Sequence, residues 1–271
     1  MRYGQLVIGP AGSGKSTYTS TIQKHCKDLR RLTYCANLDP AAEYFDYDVA
    51  VDVRDLISVE DVFEELNYGP NGGLIYCMEY LLENISWLTE EIGDYEDDYW
   101  IFDCPGQIEL YSHSTIVREI VEHLERMDFR ICAVYLLDSQ FIQDPSKFFG
   151  GCLSSMSAMI RLELPHVNIL NKMDIIGSGI RKKELESFLA PDPRLISEEL
   201  SNVTERCRKL NEAIADLVDS YSLVSFIPLN REDPESVYQV LHHIDFAIQY
   251  GENLEPKETL YCSDEQQSNR N

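Results

Sequence analysis

Eight residues near the start, Gly9-Pro10-Ala11-Gly12-Ser13-Gly14-Lys15-Ser16, constrain this chain more than any others. They match G-x-x-x-x-G-K-[ST]. They stand between an apolar run, Tyr3–Ile8, and a segment free of Pro and Gly, Lys15–Lys27. Strand, glycine loop and helix form the context in which this pattern cradles phosphate. Glycines let successive N–H groups turn inward around a polyphosphate, and the helix N-terminus favours the anion. Lys15 can reach the β/γ-phosphates, and the Ser16 hydroxyl can hold Mg²⁺. Gly12, Ser13, Gly14 and Thr17 complete the expected cradle.

The rest of the chain alternates short apolar runs with helical patterns. Expected strands are Tyr3–Ile8, Leu32–Asn37, Tyr99–Asp103, Ile131–Asp138, His166–Asn171 and Leu223–Leu229. Between them lie helical stretches at Lys15–Lys27, Gly73–Glu90, Ser114–Arg126, Pro145–Leu162, Ser197–Ser220 and Pro234–Tyr250. Such βα alternation predicts an α/β fold with a mostly parallel sheet flanked by helices on both faces. Ligands on such sheets bind at the carboxyl ends of the strands. The length suits a single domain over residues 1–250. Two segments read as insertions, 40–98 and 176–222. Residues 251–271 are polar and are expected to form a disordered tail.

Two further motifs follow strand ends. Asp103-Cys104-Pro105-Gly106-Gln107 places a carboxylate at the end of an apolar strand, where it can join the shell of a Mg²⁺ ion. Gly106 can approach a γ-phosphate, and Gln107 stands where a water-orienting glutamine is found in related folds. Asn171-Lys172-Met173-Asp174 has the form N-K-x-D. The Asp accepts hydrogen bonds from a guanine's N1–H and exocyclic amine, a donor pattern adenine lacks. The stem of Lys172 would cover the base, and Asn171 would tie the loop to its neighbours. Two more stretches attract notice: Asn37-Leu38-Asp39-Pro40-Ala41 after the second strand, and Tyr68-Gly69-Pro70-Asn71-Gly72-Gly73. By composition the latter is an ordinary turn before a helix.

Charge narrows the partners. With 23 basic and 47 acidic residues the formal charge is −24, which repels bare nucleic acid and anionic lipid and suggests basic protein partners. Direct nucleic-acid or membrane binding is therefore not expected. The loop amides, Lys15 and Mg²⁺ still make a locally positive site. Cysteines at 26, 35, 77, 104, 132, 152, 207 and 262 form no C-x-x-C pair and read as free thiols in a reducing compartment. His113 and the pair His242/His243 have no metal-ligand spacing with cysteine. The apolar runs are too short to span a bilayer, and the first strand leaves no room for a signal peptide. A cytosolic or nuclear location is expected.

Taken in order, GPAGSGKS at 9–16, NLDPA at 37–41, GPN at 69–71, DCPGQIE at 103–109 and NKMD at 171–174 resemble the GPN-loop GTPases, most closely the third of their three eukaryotic paralogues. The resemblance covers residues 1 to about 250. It implies a P-loop NTPase fold of the SIMIBI class and a dimer whose nucleotide sites face each other. In that arrangement Asn71 would act across the interface, near the partner's γ-phosphate. Asp39 matches the family's switch aspartate, proposed to help position water or Mg²⁺, and Gln107 and Glu109 match residues after the third GTPase motif. The partner would be a GPN-loop paralogue in a heterodimer, or a second copy in a homodimer. The family role implied is assembly and nuclear import of RNA polymerase II, with a cytoplasmic protein that shuttles to the nucleus.

The expected reaction is Mg²⁺-dependent hydrolysis of GTP to GDP and phosphate. Lys15 and the loop amides would stabilise the γ-phosphoryl charge, Ser16 and Asp103 would hold the metal, and Asp39 or Gln107 would orient water. Arg54 is a candidate arginine finger, or else a salt-bridged surface residue. Two other readings compete: a scaffold that holds GTP with little or no turnover, and a P-loop kinase. The kinase's lid would be formed by the basic residues at 181–183, 194, 206 and 208, although N-K-M-D fits kinases poorly.

Overall fold

The computed structural model describes residues 1–93, 99–176, 182–189, 209–210, 213–214, 216–217 and 224–252. Seven strands form one sheet: β1 (Arg2–Ile8), β2 (Thr33–Asn37), β3 (Val49–Asp52), β4 (Tyr99–Asp103), β5 (Phe129–Asp138), β6 (His166–Asn171) and β7 (Phe226–Pro228). Their order is β3-β2-β4-β1-β5-β6-β7, and every pairing is parallel. Among the described residues the α-helices are α1 (Lys15–Asp28), α2 (Val59–Leu66), α3 (Pro70–Glu83), α4 (Ile85–Ile92), α5 (Glu109–Ser112), α6 (Ile116–Arg126), α7 (Pro145–Leu162), α8 (Met173–Ile176), α9 (Lys182–Leu189) and α10 (Pro234–Ala247).

The sheet is buried on both faces, and its side chains sort by parity. Along β5, Phe129, Ile131, Ala133, Tyr135 and Leu137 join one core with side chains of α3, α4, α6 and α7. Cys132, Val134 and Leu136 face the other, packed with Tyr18 and Ile22 of α1 and Val240 and Ile244 of α10. Successive side chains of a strand point to opposite faces, so a near-continuous apolar run is what a doubly covered strand requires. Each such side chain withdrawn from water contributes about 1.5–3 kcal/mol before conformational entropy is counted.

Segment 40–98 is more than an excursion. It supplies β3, which pairs with β2 at the sheet edge, and helices α2, α3 and α4. Only Val51 of β3 is deeply buried, while Val49 is 39% exposed, so the strand lacks the apolar run that marks the others. The single helix expected over Gly73–Glu90 is two. Asn84 leaves the helical region at φ −108°, ψ 35°, and its side-chain amide donates to Tyr80 O at 2.9 Å. The pattern over Ser197–Ser220, the basic positions 181, 194, 206 and 208, Cys207, Cys262 and the tail from 253 onward lie outside the described residues. The side chains of Lys182 and Lys183 lie outside them too. Among the described residues no helix is long and apolar enough to cross a membrane.

The register places the motifs together. Val7 pairs with Asp103, Asn37 with Asp103, and Asp138 with Asn171. Four strands therefore end in polar side chains along one edge, directly around the loop that leaves β1.

Candidate functional site

The loop after β1 turns on glycines in the left-handed region. Gly12 has φ 78° and Gly14 φ 91°. Gly14 caps α1 without any side-chain hydrogen bond, so the first N–H groups of the helix remain open to an anion. No larger residue fits at Gly14, because a Cβ there would stand 2.7 Å from Asn171 Nδ2. Lys15 is 8% exposed, and its ammonium donates to Gly9 O and Pro10 O, both at 3.3 Å. Burial lowers its pKa, and the charges of Asp103 and Asp39 oppose that shift. Ser16 is half-buried on the first turn of α1, and Thr17 beside it is exposed.

Asp103 ends β4 with 2% exposure. Burial pushes its carboxyl up to about 6, against the pull of the Ser16 hydroxyl, the Lys15 charge and the Tyr47 hydroxyl. Tyr47 Oη donates to Oδ2 at 3.1 Å, whereas Oδ1 is buried with no hydrogen-bond partner. An orphaned carboxylate oxygen beside a serine hydroxyl is a hard-oxygen set, and its chemistry fits Mg²⁺. Gly106 follows three residues later and closes over the loop: a Cβ there would stand 2.9 Å from Ala11 Cα and 3.0 Å from Lys15 Nζ. Gln107, next in the chain, is half-buried, and its backbone carbonyl accepts from Leu110 N at 3.3 Å.

Asp39 lies within electrostatic reach of the same lysine. Burial raises its pKa, while the Ala41 amide, donating at 3.0 Å to Oδ1, and the charges of Lys15 and Arg54 pull it back. Asn37 orients this turn by accepting from Asp39 N at 3.0 Å and donating to Asp52 at 2.8 Å. Arg54 is committed elsewhere. Its guanidinium grips Asp52 at 2.5–3.0 Å, donates to Ala42 O at 2.8 Å and lies over the Phe45 ring. Burial would raise the Asp52 carboxyl, but the hydrogen bonds from Arg54 and Asn37 hold it low. That arrangement is the salt-bridged alternative for Arg54.

The N-K-M-D segment backs onto the phosphate loop. Asn171 donates to Ser13 O at 2.8 Å, and Lys172 Nζ binds Gly12 O and Asp138 Oδ2, each at 2.6 Å. Asp174 has one buried oxygen, Oδ1, without a partner, and Oδ2 stands 3.8 Å from Arg231 Nε. A cavity of about 160 Å³ opens here, bounded by Gly14, Thr17, Asn171, Lys172, Asp174 and Arg231. A larger groove of about 590 Å³ runs from Ser16 and Thr17 along α1 toward Tyr44 and Pro234.

The structure thus gathers Gly12, Ser13, Gly14, Lys15, Ser16, Asp39, Asp103, Asn171, Lys172 and Asp174 around one loop. It does not bring Asn71 there. That residue is exposed on the first turn of α3, behind Gly69 as N-cap and Pro70 at the first helical position. Three participants escape motif reading: Tyr47, Asp138 and Arg231. Asp138 carried a usable signal, since it ends an apolar strand just as Asp103 does; the other two had none.

Comparison with known proteins agrees with this geometry. Residues 7–250 match a family model described as a conserved hypothetical ATP binding protein. GPN-loop GTPase 3 of Dictyostelium discoideum is 53% identical over 258 residues, spanning 95% of this chain and 90% of that one. The proteins of the same name from Xenopus tropicalis and Kluyveromyces lactis are each 54% identical, over 261 and 259 residues. They span 95% of this chain and 91% and 96% of their own. Among solved structures, an apo GTPase from Pyrococcus abyssi superposes with a TM-score of 0.71 at 22% identity, covering 90% of this chain and 97% of that one. The fold is therefore the α/β fold of a P-loop GTPase. With more than half of its residues shared along nearly its whole length, the chain belongs to the GPN-loop GTPase family.

Proposed function

We propose that this chain binds GTP with Mg²⁺ and hydrolyses it to GDP and phosphate as one half of a dimeric switch. A single observation carries the reading. Two buried carboxylate oxygens lack partners next to the phosphate loop: Asp103 Oδ1, on the carboxylate beside Ser16 and Lys15, and Asp174 Oδ1, on the carboxylate that bounds a cavity with Gly14 and Thr17. A guanine's adjacent N–H donors satisfy the second, and a hard cation satisfies the first.

The chain's own groups have defined tasks. The free N–H groups at the head of α1 bind phosphate oxygens, and Lys15 exchanges the loop carbonyls for stronger phosphate acceptors. Ser16 and Asp103 would hold Mg²⁺, which neutralises charge as it develops on the transferred group. Asp39 or Gln107 orients the attacking water. Asp39 is the better supplied of the two, since burial raises its basicity and Lys15 stands nearby. Asn71 would complete the neighbouring subunit's site, and the exposed Phe63, Leu66 and Tyr68 beside it suit a contact surface. The partner is a GPN-loop paralogue or a second copy. The client role, assembly and nuclear import of RNA polymerase II, rests on the family resemblance.

The alternative is a scaffold that holds GTP with little or no turnover. Single-turnover hydrolysis by the purified chain, alone and with its paralogue, separates the readings. Lys15→Ala is expected to abolish both binding and turnover. Near-zero turnover in the wild type under both conditions would leave only the scaffold. ATP displacing GTP equally well would sink the guanine assignment.

A further inference from the structure

Tyr47 belongs to no nucleotide motif, yet its hydroxyl reaches Asp103 Oδ2 across 56 positions of chain. Both side chains are buried, at 6% and 2% exposure. A buried tyrosine hydroxyl needs an acceptor. Here it has taken one oxygen of the carboxylate that ends β4 and left the other without a donor. That asymmetry matters. A carboxylate free to turn about its Cβ–Cγ bond can present either oxygen, whereas a donor fixed on one of them aims the other.

Tyr47 is itself held in place. Its ring stacks on Phe45 with centroids 4.6 Å apart and planes 16° from parallel, and the Arg54 guanidinium covers Phe45 at 4.9 Å. On the other side Ser20 Oγ donates to Asp46 O at 3.0 Å, and Gln23 exchanges hydrogen bonds of 2.8 and 2.9 Å with the backbone of Asp48. The hydroxyl is thus located both from α1, whose first turn carries Ser16, and from the Asp52–Arg54 pair after β3.

We infer that Tyr47 is a positioning residue for the cation site: its hydroxyl holds Asp103 so that Oδ1 is presented to Mg²⁺ beside Ser16, and retention of the metal depends on segment 44–48. The inference rests on the reading of Ser16 and Asp103 as Mg²⁺ ligands. Tyr47 acts through Asp103 and touches no reacting atom. It is a support that no spacing along the chain announces.

The test is Tyr47→Phe in the full chain loaded with GDP. Mg²⁺ binding is followed by calorimetry, and release of a fluorescent GDP analogue is timed in Mg²⁺ and in EDTA. The variant is expected to bind Mg²⁺ about tenfold more weakly, an ordinary loss for a group that supports a metal ligand. Nucleotide release should accelerate in Mg²⁺ and match the wild type in EDTA. Unchanged Mg²⁺ affinity in a folded variant overturns the inference. Equal acceleration in both buffers also overturns it, because that marks a packing role. Should Tyr47→Phe fail to fold, Phe45→Leu keeps the hydroxyl but loosens its backing. It is expected to lose roughly two- to fivefold in Mg²⁺ affinity, and no loss overturns the inference. A wild type whose GDP release ignores Mg²⁺ removes the metal reading as well; a Tyr47→Phe variant that binds Mg²⁺ and releases GDP in Mg²⁺ as the wild type does removes only the role of Tyr47.

Discussion

Asp174 has its two oxygens in unlike surroundings: one buried and unpartnered, the other 3.8 Å from a half-exposed arginine. A buried acceptor left without a donor costs about 1–3 kcal/mol, which a base with two adjacent N–H groups returns. Asp174→Asn replaces one acceptor by a donor. Guanine nucleotide affinity is expected to fall about 10- to 100-fold. Xanthine nucleotides, which carry a carbonyl where guanine has its amine, should gain in the same competition assay. Unaltered GDP affinity would remove Asp174 from the base site. Such a residue is readable from the chain because Asn171, Lys172 and Asp174 are neighbours in it. Tyr47 and Arg231 were not readable, since only the sheet register and the turn after β7 bring them to Asp103 and Asp174. Sequence spacing carries chemistry that is local, and it is silent on a hydrogen bond between residues 47 and 103.

Elements were legible wherever both faces of a strand are buried. β4 and β6 match their apolar runs residue for residue, and β5 begins two residues earlier than its run suggested. The edge strand β3 and the break at Asn84 were hidden, because half-exposed strands and helix ends are decided by neighbours more than by local pattern. At the start of β6, burial lowers the pKa of His166 to about 4, with Asn168 opposing, and the ring lies over Tyr135. The native chain holds this histidine neutral while the unfolded chain protonates it near 6.5. Stability is therefore full above about pH 6.5 and is lost as pH falls toward about 4, by about 3 kcal/mol. Urea unfolding across that window should show the loss, and His166→Phe should flatten it. A second junction joins the turn after α1 to α10. Arg31 is sandwiched between Tyr99 and Tyr250, 3.6 Å from each ring centre, and paired with Asp245 at 2.8 and 3.0 Å. Asp245→Ala strands a guanidinium of 9% exposure and is expected to cost about 3–5 kcal/mol in denaturant unfolding.

For the whole molecule, the site is open in a particular sense. Every group proposed to grip phosphate, metal and base comes from one sheet edge, while the loop that names the family stands exposed at the head of α3. Asn71→Ala should bind GDP like the wild type but lose about 100-fold in turnover, the scale of one missing transition-state donor. Wild-type turnover per chain should rise with protein concentration as pairs form. Turnover independent of concentration and indifferent to Asn71 would place all of the catalysis within one subunit. The strand order has a further consequence, for synthesis. β1 carries the phosphate loop, yet its neighbours arrive late: Tyr3 pairs with Tyr99 and Arg2 with Phe129. At about 5–20 residues per second on the ribosome, the loop waits roughly 6 to 25 seconds for the frame that shapes it. During that interval β1 is an apolar segment of a nascent chain without the strands that flank it in the sheet.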